Sequence, residues 1–159
     1  MSGKKPGGGG EKVVCVNRKA RHEYDILETL EGGMVLTGTE VKSLRQGQAS
    51  IKESHAVVND GEIFLVDCHI PPYAFGNMNN HEPRRRRKLL LHGREIKRLT
   101  GKLAEKGLSL VPLRIYFRRG RAKIELALAR GRKTRDKRNA IRDRDIKREM
   151  DREARERVR

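Results

Sequence analysis

Leu108-Ser109-Leu110-Val111-Pro112-Leu113-Arg114-Ile115-Tyr116-Phe117-Arg118-Arg119-Gly120-Arg121-Ala122-Lys123-Ile124-Glu125-Leu126-Ala127-Leu128-Ala129 is the stretch that decides the fold class. In its first half Leu113, Ile115 and Phe117 alternate with Arg114 and Tyr116. In its second half Ala122, Ile124, Leu126 and Leu128 alternate with Lys123 and Glu125. A period of two predicts strands over 108–117 and 121–129, turning at Arg118-Arg119-Gly120. Alternation this regular points to antiparallel strands with one wet face.

Upstream, 94–106 reads as a helix: Ile96, Leu99 and Leu103 recur at three and four, and Gly107 closes it. Before it lies Arg84-Arg85-Arg86-Arg87-Lys88, followed by three leucines, with the polar, Asn-rich segment 73–82 ahead as a loop. Strand-like runs at 54–58 and 63–70 flank Asn59-Asp60-Gly61, a strong hairpin signal. A short helix is expected from Gly38, with Thr39 as N-cap, Glu40 in the first turn and Gly47 as the stop. The segment 22–30 alternates, placing Tyr24, Ile26 and Leu30 on one side of a strand, with Gly32-Gly33 as a turn and 34–37 returning. Residues 13–16 form a further short apolar run. About six strands, two helices and no βαβ rhythm predict a mainly β fold with small helices. The expected architecture is an antiparallel, six-stranded barrel of the oligonucleotide-binding (OB) type, since closure removes exposed edges. The expected division is a flexible Gly/Lys-rich leader at 1–12, the barrel at 13–129 and a basic C-terminal tail at 130–159.

The tail holds 14 Lys/Arg and 7 Asp/Glu in thirty residues, with no Pro, no aromatic residue and no Gly after Gly131. Its apolar residues, Ile141, Ile146, Met150, Ala154 and Val158, are too sparse for a core-facing stripe. Asp143–Lys147, Asp151–Arg155 and Glu153–Arg157 are i,i+4 pairs, each contributing roughly 0.2–0.5 kcal/mol. Such a segment is expected to be disordered alone and helical when a polyanion or a tunnel holds it. A solvated tail that only adds solubility has the same composition.

The net charge of +17 over 159 residues points to an anionic partner, nucleic acid first. No stretch approaches the ~18 apolar residues of a membrane span. The basic N-terminus continues into Gly7-Gly8-Gly9-Gly10 rather than an apolar region, so no secretory signal is expected. Two distant cysteines, Cys15 and Cys68, suit a reducing, cytoplasmic setting. Protease, hydrolase, nucleotide-binding and CxxC signatures are missing. Asp60, Glu62 and Asp67 can be drawn as a nuclease metal cluster, but Asp60 suits a turn, and Glu62 and Asp67 fall on opposite faces of one strand. Neither cofactor nor metal is expected. Asn17-Arg18-Lys19-Ala20-Arg21-His22-Glu23-Tyr24 sets cations beside rings at a strand entrance: phosphate and stacking contacts, or a core Tyr24 with idle charges. The run 84–88 reads as a phosphate grip or a solvated loop. Gly131-Arg132-Lys133 is a hinged basic exit from the last strand.

Four separated motifs then line up in order: 17–24, Gly38-Thr39-Glu40-Val41-Lys42-Ser43-Leu44-Arg45, Arg87-Lys88-Leu89-Leu90-Leu91-His92, and Gly131-Arg132-Lys133 followed by Asp136-Lys137-Arg138. From Asn17 onward the chain resembles the SmpB (small protein B) family, tmRNA-binding proteins of bacterial trans-translation. The resemblance implies an OB-type barrel, monomeric when free, that binds the tRNA-like domain of tmRNA. It implies delivery of that RNA to the A site of ribosomes stalled without a stop codon, with the tail entering the empty mRNA channel. By position, Asn17, His22, Tyr24, Glu31 and Leu91 resemble the tmRNA-binding surface, with Arg18, Lys19 and Lys88 as phosphate neighbours. Gly131, Arg132 and Lys133 resemble the tail's root near the decoding centre, and Asp136, Lys137 and Arg138 its functional motif. Arg135 stands where the family commonly has Tyr or His; a planar guanidinium can stack in the place of a ring.

Overall fold

A computed structural model describes residues 11–76, 80–105, 107–132 and 134–157. The elements are β1 Lys12–Val16, α1 Arg18–Glu23, β2 Tyr24–Met34, α2 Gly38–Arg45, β3 His55–Asn59, β4 Glu62–Val66, β5 Arg87–Leu90, α3 Gly93–Leu103, β6 Leu108–Arg118, β7 Arg121–Gly131 and α4 Thr134–Arg157. All pairings among these strands are antiparallel. Strands β6, β3, β4, β5, β2 and β7 form a ring, closed by β7 pairing with β6. β1 lies along the second half of β6 as a seventh strand. The sequence therefore anticipates the closed antiparallel barrel and five of its six ring strands, all but β5.

Two segments differ. The expected turn at Gly32-Gly33 does not form, and β2 runs unbroken through both glycines. Their job is clearance: a Cβ on Gly32 would lie 3.1 Å from Leu91 Cδ1 and 3.3 Å from the Leu90 carbonyl oxygen. Part of the cation run, by contrast, becomes a ring strand, since β5 fills the gap between β4 and β2.

Two bulges decide which residues face inward. β6 shifts register between Pro112 and Arg114, and β2 between Ile26 and Glu28, leaving Leu113 and Leu27 as extra residues. A bulge reverses the in–out alternation beyond it. Hence Ile115 and Phe117 enter the barrel core while Leu113 packs outside. Likewise Leu30 faces inward, whereas Tyr24 and Ile26 pack outside. The main core gathers Leu44, Ile63, Leu65, Leu89, Leu99, Ile124 and Leu126; Ala20, Val111, Leu113, Ala127 and Ala129 form a smaller one on the outer face. Tyr116, expected on the wet face, is 1% exposed because charged side chains cover it.

Local signals otherwise behave as their chemistry requires. Asp60 and Gly61 have φ of 50° and 74°, and Arg119 and Gly120 have 51° and 76°. Both pairs make the two-residue turns that suit tight hairpins. α2 begins earlier than expected: Thr37, not Thr39, is the N-cap, with Glu40 returning to the Thr37 N–H at 2.9 Å. α3 ends at Leu103 and buries Leu99. The tail, expected to order only when held, is helical from Thr134 to Arg157, as its helix-forming residues and freedom from internal Gly and Pro allow.

Glu40 is also the centre of the barrel's electrostatics. Its side chain is fully buried; Arg85 Nη2 donates to Oε1 at 2.5 Å and Arg87 Nε donates to Oε2. Arg87, equally buried, spends its remaining donors on the carbonyls of Cys68 (2.7 Å), Arg85 (3.0 Å) and Pro83 (3.0 Å). Burial pushes the Glu40 pKa up, but hydrogen bonds from Arg85, the Thr37 amide and Arg87 outweigh it and hold the carboxyl below the usual glutamate value. A depressed carboxyl pKa stabilises the fold above the unfolded value, and that stability is lost as pH falls through the folded one. Glu40→Gln should lower unfolding free energy by about 3–5 kcal/mol in urea titrations, because two buried guanidiniums lose their counter-charge. The variant's loss of stability on acidification should also be shallower than that of the parent.

Candidate nucleic-acid interface

α1 has six residues, too few to persist alone. Asn17, 4% exposed, holds it in place. Its Oδ1 accepts from the Ala20 N–H at 3.2 Å. Its Nδ2 donates to Pro112 O at 3.1 Å and Ile51 O at 3.3 Å, and its own N–H donates to Leu113 O at 2.7 Å. Ala20 seats the helix on the outer core. The Asn17 side chain is thus fully engaged inside the protein, and its part is to present α1. The expected strand entrance is a capped helix that leaves Arg18, Lys19, Arg21 and His22 exposed. Lys19 makes loose ion pairs with Glu23 (3.6 Å) and Glu53 (3.7 Å). Arg18 and Arg21 form no ion pair with a described residue.

The tail's root meets the same patch. Tyr24 pairs across from Gly131, its ring 3.9 Å from where a Gly131 Cβ would sit. The Arg132 N–H donates to Glu23 O at 2.8 Å, and Arg132 Nε donates to Asp25 Oδ1 at 2.8 Å. Gly131 ends β7 without a positive φ, so the exit needs no glycine hinge. Lys133 lies outside the described residues. The backbone of Arg135, Asp136, Lys137 and Arg138 forms the start of α4, and their side chains lie outside the described residues.

Glu31, Lys88 and Leu91 fall elsewhere. Glu31 is seven residues along β2 from Tyr24, about 20 Å at the rise of an extended strand. Its carboxylate accepts from the Tyr116 hydroxyl and from Arg118 Nη1 at 3.0 Å. Leu91 is half-buried against Gly32, and Lys88 pairs with Glu62 at 3.0 Å. The residues singled out by sequence thus form two groups at the two ends of one strand.

The run 84–88 is not a five-cation grip. Arg85 and Arg87 turn inward to Glu40, while Arg84 and Arg86 face out, with Arg86 over the Phe64 ring at 5.5 Å. Sequence reasoning missed Arg114, Tyr116 and Arg118, although their spacing of two on one strand carried the signal. The two guanidiniums cover the Tyr116 ring at 4.2 and 5.4 Å. Burial first, then the Glu31 carboxylate, raises the Tyr116 pKa, so the phenol stays a donor. Burial likewise pushes the Cys15 thiol up to about 11 and the Cys68 thiol to about 12, leaving both protonated at neutral pH. Among the described residues no three His, Cys, Asp or Glu side chains are grouped to hold a metal ion, and no helix is long and apolar enough to cross a membrane.

The SmpB protein family model matches residues 14–156. The chain belongs to the SmpB family. Among SmpB relatives, the SsrA-binding protein of Desulforudis audaxviator is 61% identical over 145 residues, covering 91% of this chain and 95% of that protein. The SsrA-binding protein of Pelotomaculum thermopropionicum is 59% identical over 148 residues, covering 93% and 97%. A chain in the solved structure described as "tmRNA-SmpB: a journey to the center of the bacterial ribosome" superposes with a TM-score of 0.66 at 53% identity. That superposition covers 80% of this chain and 94% of the other.

Asn17→Ala should lower stability by about 1–2 kcal/mol, through loss of the cap and of the Nδ2 hydrogen bonds to Pro112 O and Ile51 O. Amide exchange at Ala20 should accelerate more than exchange in the β6–β7 hairpin; equal protection at both would contradict the capping role.

Proposed function

We propose that this chain is an RNA-binding adaptor of ribosome rescue. It binds the tRNA-like domain of tmRNA and delivers it to the A site of ribosomes stalled without a stop codon. The nascent peptide is then tagged for degradation by trans-translation. The observation that carries this reading is the joint between α1 and the tail at Glu23, Tyr24 and Arg132. A body that grips RNA through α1 thereby fixes the direction in which the tail leaves.

Arg18, Lys19 and Arg21 meet phosphates and release counterions. His22 and Tyr24 offer ring faces for unpaired bases, which is how single-stranded parts of RNA are commonly held. Glu31, Lys88 and Leu91 make a second contact farther along the barrel. The tail helix, 24 residues at 1.5 Å rise, reaches about 36 Å. Its cationic surface suits an RNA-walled channel, where it competes with message for the same space. Gly131, Arg132 and Lys133 then sit near the decoding centre, with Arg135 in the place of a stacking ring and Asp136, Lys137 and Arg138 just beyond. The protein acts in the cytoplasm, enters the complex as a monomer and performs no chemistry of its own.

Replacing Arg18, Lys19 and Arg21 by Ala should reduce the salt dependence of tmRNA binding by about two to three in log–log slope. Deleting 136–159 should leave tmRNA affinity nearly intact and abolish peptide tagging on stalled ribosomes. Competition of tmRNA against bulk tRNA at one salt concentration separates this reading from a general RNA chaperone. Equal affinity for the two RNAs would favour the chaperone.

A further inference from the structure

The barrel ring is thinnest where β3 meets β6. These strands share one residue pair, Ala56 opposite Leu110, whereas β3 and β4 share five. On one side of that pair Asn17 spans the gap, its Nδ2 donating to both Ile51 O and Pro112 O. On the other side the strands part and leave a cavity of about 710 Å³, within the roughly 300–1,000 Å³ of ligand sites. Its apolar walls are Ala20 and Tyr24, Val57 and Val58, and Leu103 and Leu108.

The backbone at this gap is not fully paired. Asn59 and Glu62 flank a two-residue turn, so they form a doubly hydrogen-bonded pair. Bonding to β4 alternates from there, through Asn59, Val57 and His55. Ala56 and Val58 therefore aim their N–H and C=O groups at β6. Ala56 meets Leu110, but Val58 has no partner for either group among the described residues. An extended chain laid in the gap offers Val58 both bonds, as when a peptide adds to a sheet edge. The charge of the lining says which polymer fits. Glu23, Glu53 and Asp60 stand against Lys19 and Lys52, one net negative charge in a chain of +17. Lys19 lies between Glu23 and Glu53 at 3.6 and 3.7 Å, while Arg18, Arg21 and His22 of α1 do not line the gap. A nucleic acid brings a negative charge with every phosphate to walls that are already negative. A peptide backbone brings none.

We propose that the gap between β3 and β6 docks an extended segment of a protein partner, apolar at alternate positions and free of acidic residues, through backbone hydrogen bonds to Val58. This site goes beyond the RNA-binding reading and does not depend on it.

The test is amide NMR of the full-length chain with three probes: the peptide acetyl-Thr-Val-Lys-Val-Thr-amide, the same peptide with Glu in place of Lys, and hexauridylate. The lysine peptide should shift the amides of Val57, Val58, Ser109 and Leu110, and the glutamate peptide should bind there about tenfold more weakly. Hexauridylate should leave those amides in place and move those of Arg18 and Arg21. Ala104→Phe fills the cavity from the exposed end of α3 and should abolish the peptide shifts without altering the hexauridylate ones. Val58→Pro removes an N–H that the fold itself does not use, and should weaken the lysine peptide by about fivefold. Peptide shifts that are absent at millimolar peptide, or confined to other surfaces, overturn the proposal. So do equal affinity for the two peptides, binding that survives Ala104→Phe, full affinity in Val58→Pro, or hexauridylate displacing the peptide from these amides.

Discussion

The buried carboxylate of Glu40 joins three parts of the chain that the backbone alone would leave loosely associated. It caps the first turn of α2, accepts from Arg85 and neutralises Arg87 at the start of β5. Arg87 extends the connection to the carbonyls of Cys68 and Pro83, on the long excursion between β4 and β5. Charges this deep persist only when every donor and acceptor has a partner, because the low dielectric makes an unpaired one so costly. The network holds the start of β5, which completes the ring between β4 and β2 and carries Leu89 into the core.

The barrel also has an apolar layer outside its ring, and the functional surface depends on it. The bulges in β2 and β6 both lie against β7, and each reverses the alternation of its strand. Without them Ile115, Phe117 and Leu30 would leave the core for the outer face. With them, Val111, Leu113, Ala127 and Ala129 form a small pad under Ala20. Beyond the β6 bulge, the same outer face carries Arg114, Tyr116 and Arg118, which hold Glu31. That one irregularity lies between the pad under α1 and the outward row that holds Glu31.

In so basic a chain, position rather than number separates the exposed cations from those tied into the fold. Arg85, Arg87, Arg114 and Arg118 are tied to carboxylates within the fold, and their charge is largely answered there. Arg18 and Arg21 project from a short helix that Asn17 caps and ties to Pro112 and Ile51. The tail leaves from beside that helix, stitched to it through Arg132. Residues 144–156 are exposed throughout, including Ile146 and Met150. A helix with that surface has no apolar stripe to set against the barrel's core.

Period-two alternation, hairpin turns and charge were all legible along the chain, because each is a local property. They were enough for a mainly β, antiparallel, closed domain with small helices, for the two tight turns at Asp60 and Arg119, and for an anionic partner. The ordered motifs were enough for the family. What stayed hidden was non-local. Gly32 and Gly33 read as a turn because nothing nearby reveals that Leu90 and Leu91 press against them. The cation run read as one patch because Glu40, more than forty residues upstream, is what draws alternate arginines inward. Asn17 read as a ligand group because its partners, Ile51 and Pro112, come from distant segments. The sequence by itself determined most kinds of element, α1 and β5 excepted, and the sign of the partner's charge. Only the tertiary structure decided which polar side chains are consumed inside the protein and which remain for RNA, since a buried donor or charge takes its partner from wherever the fold brings one within reach.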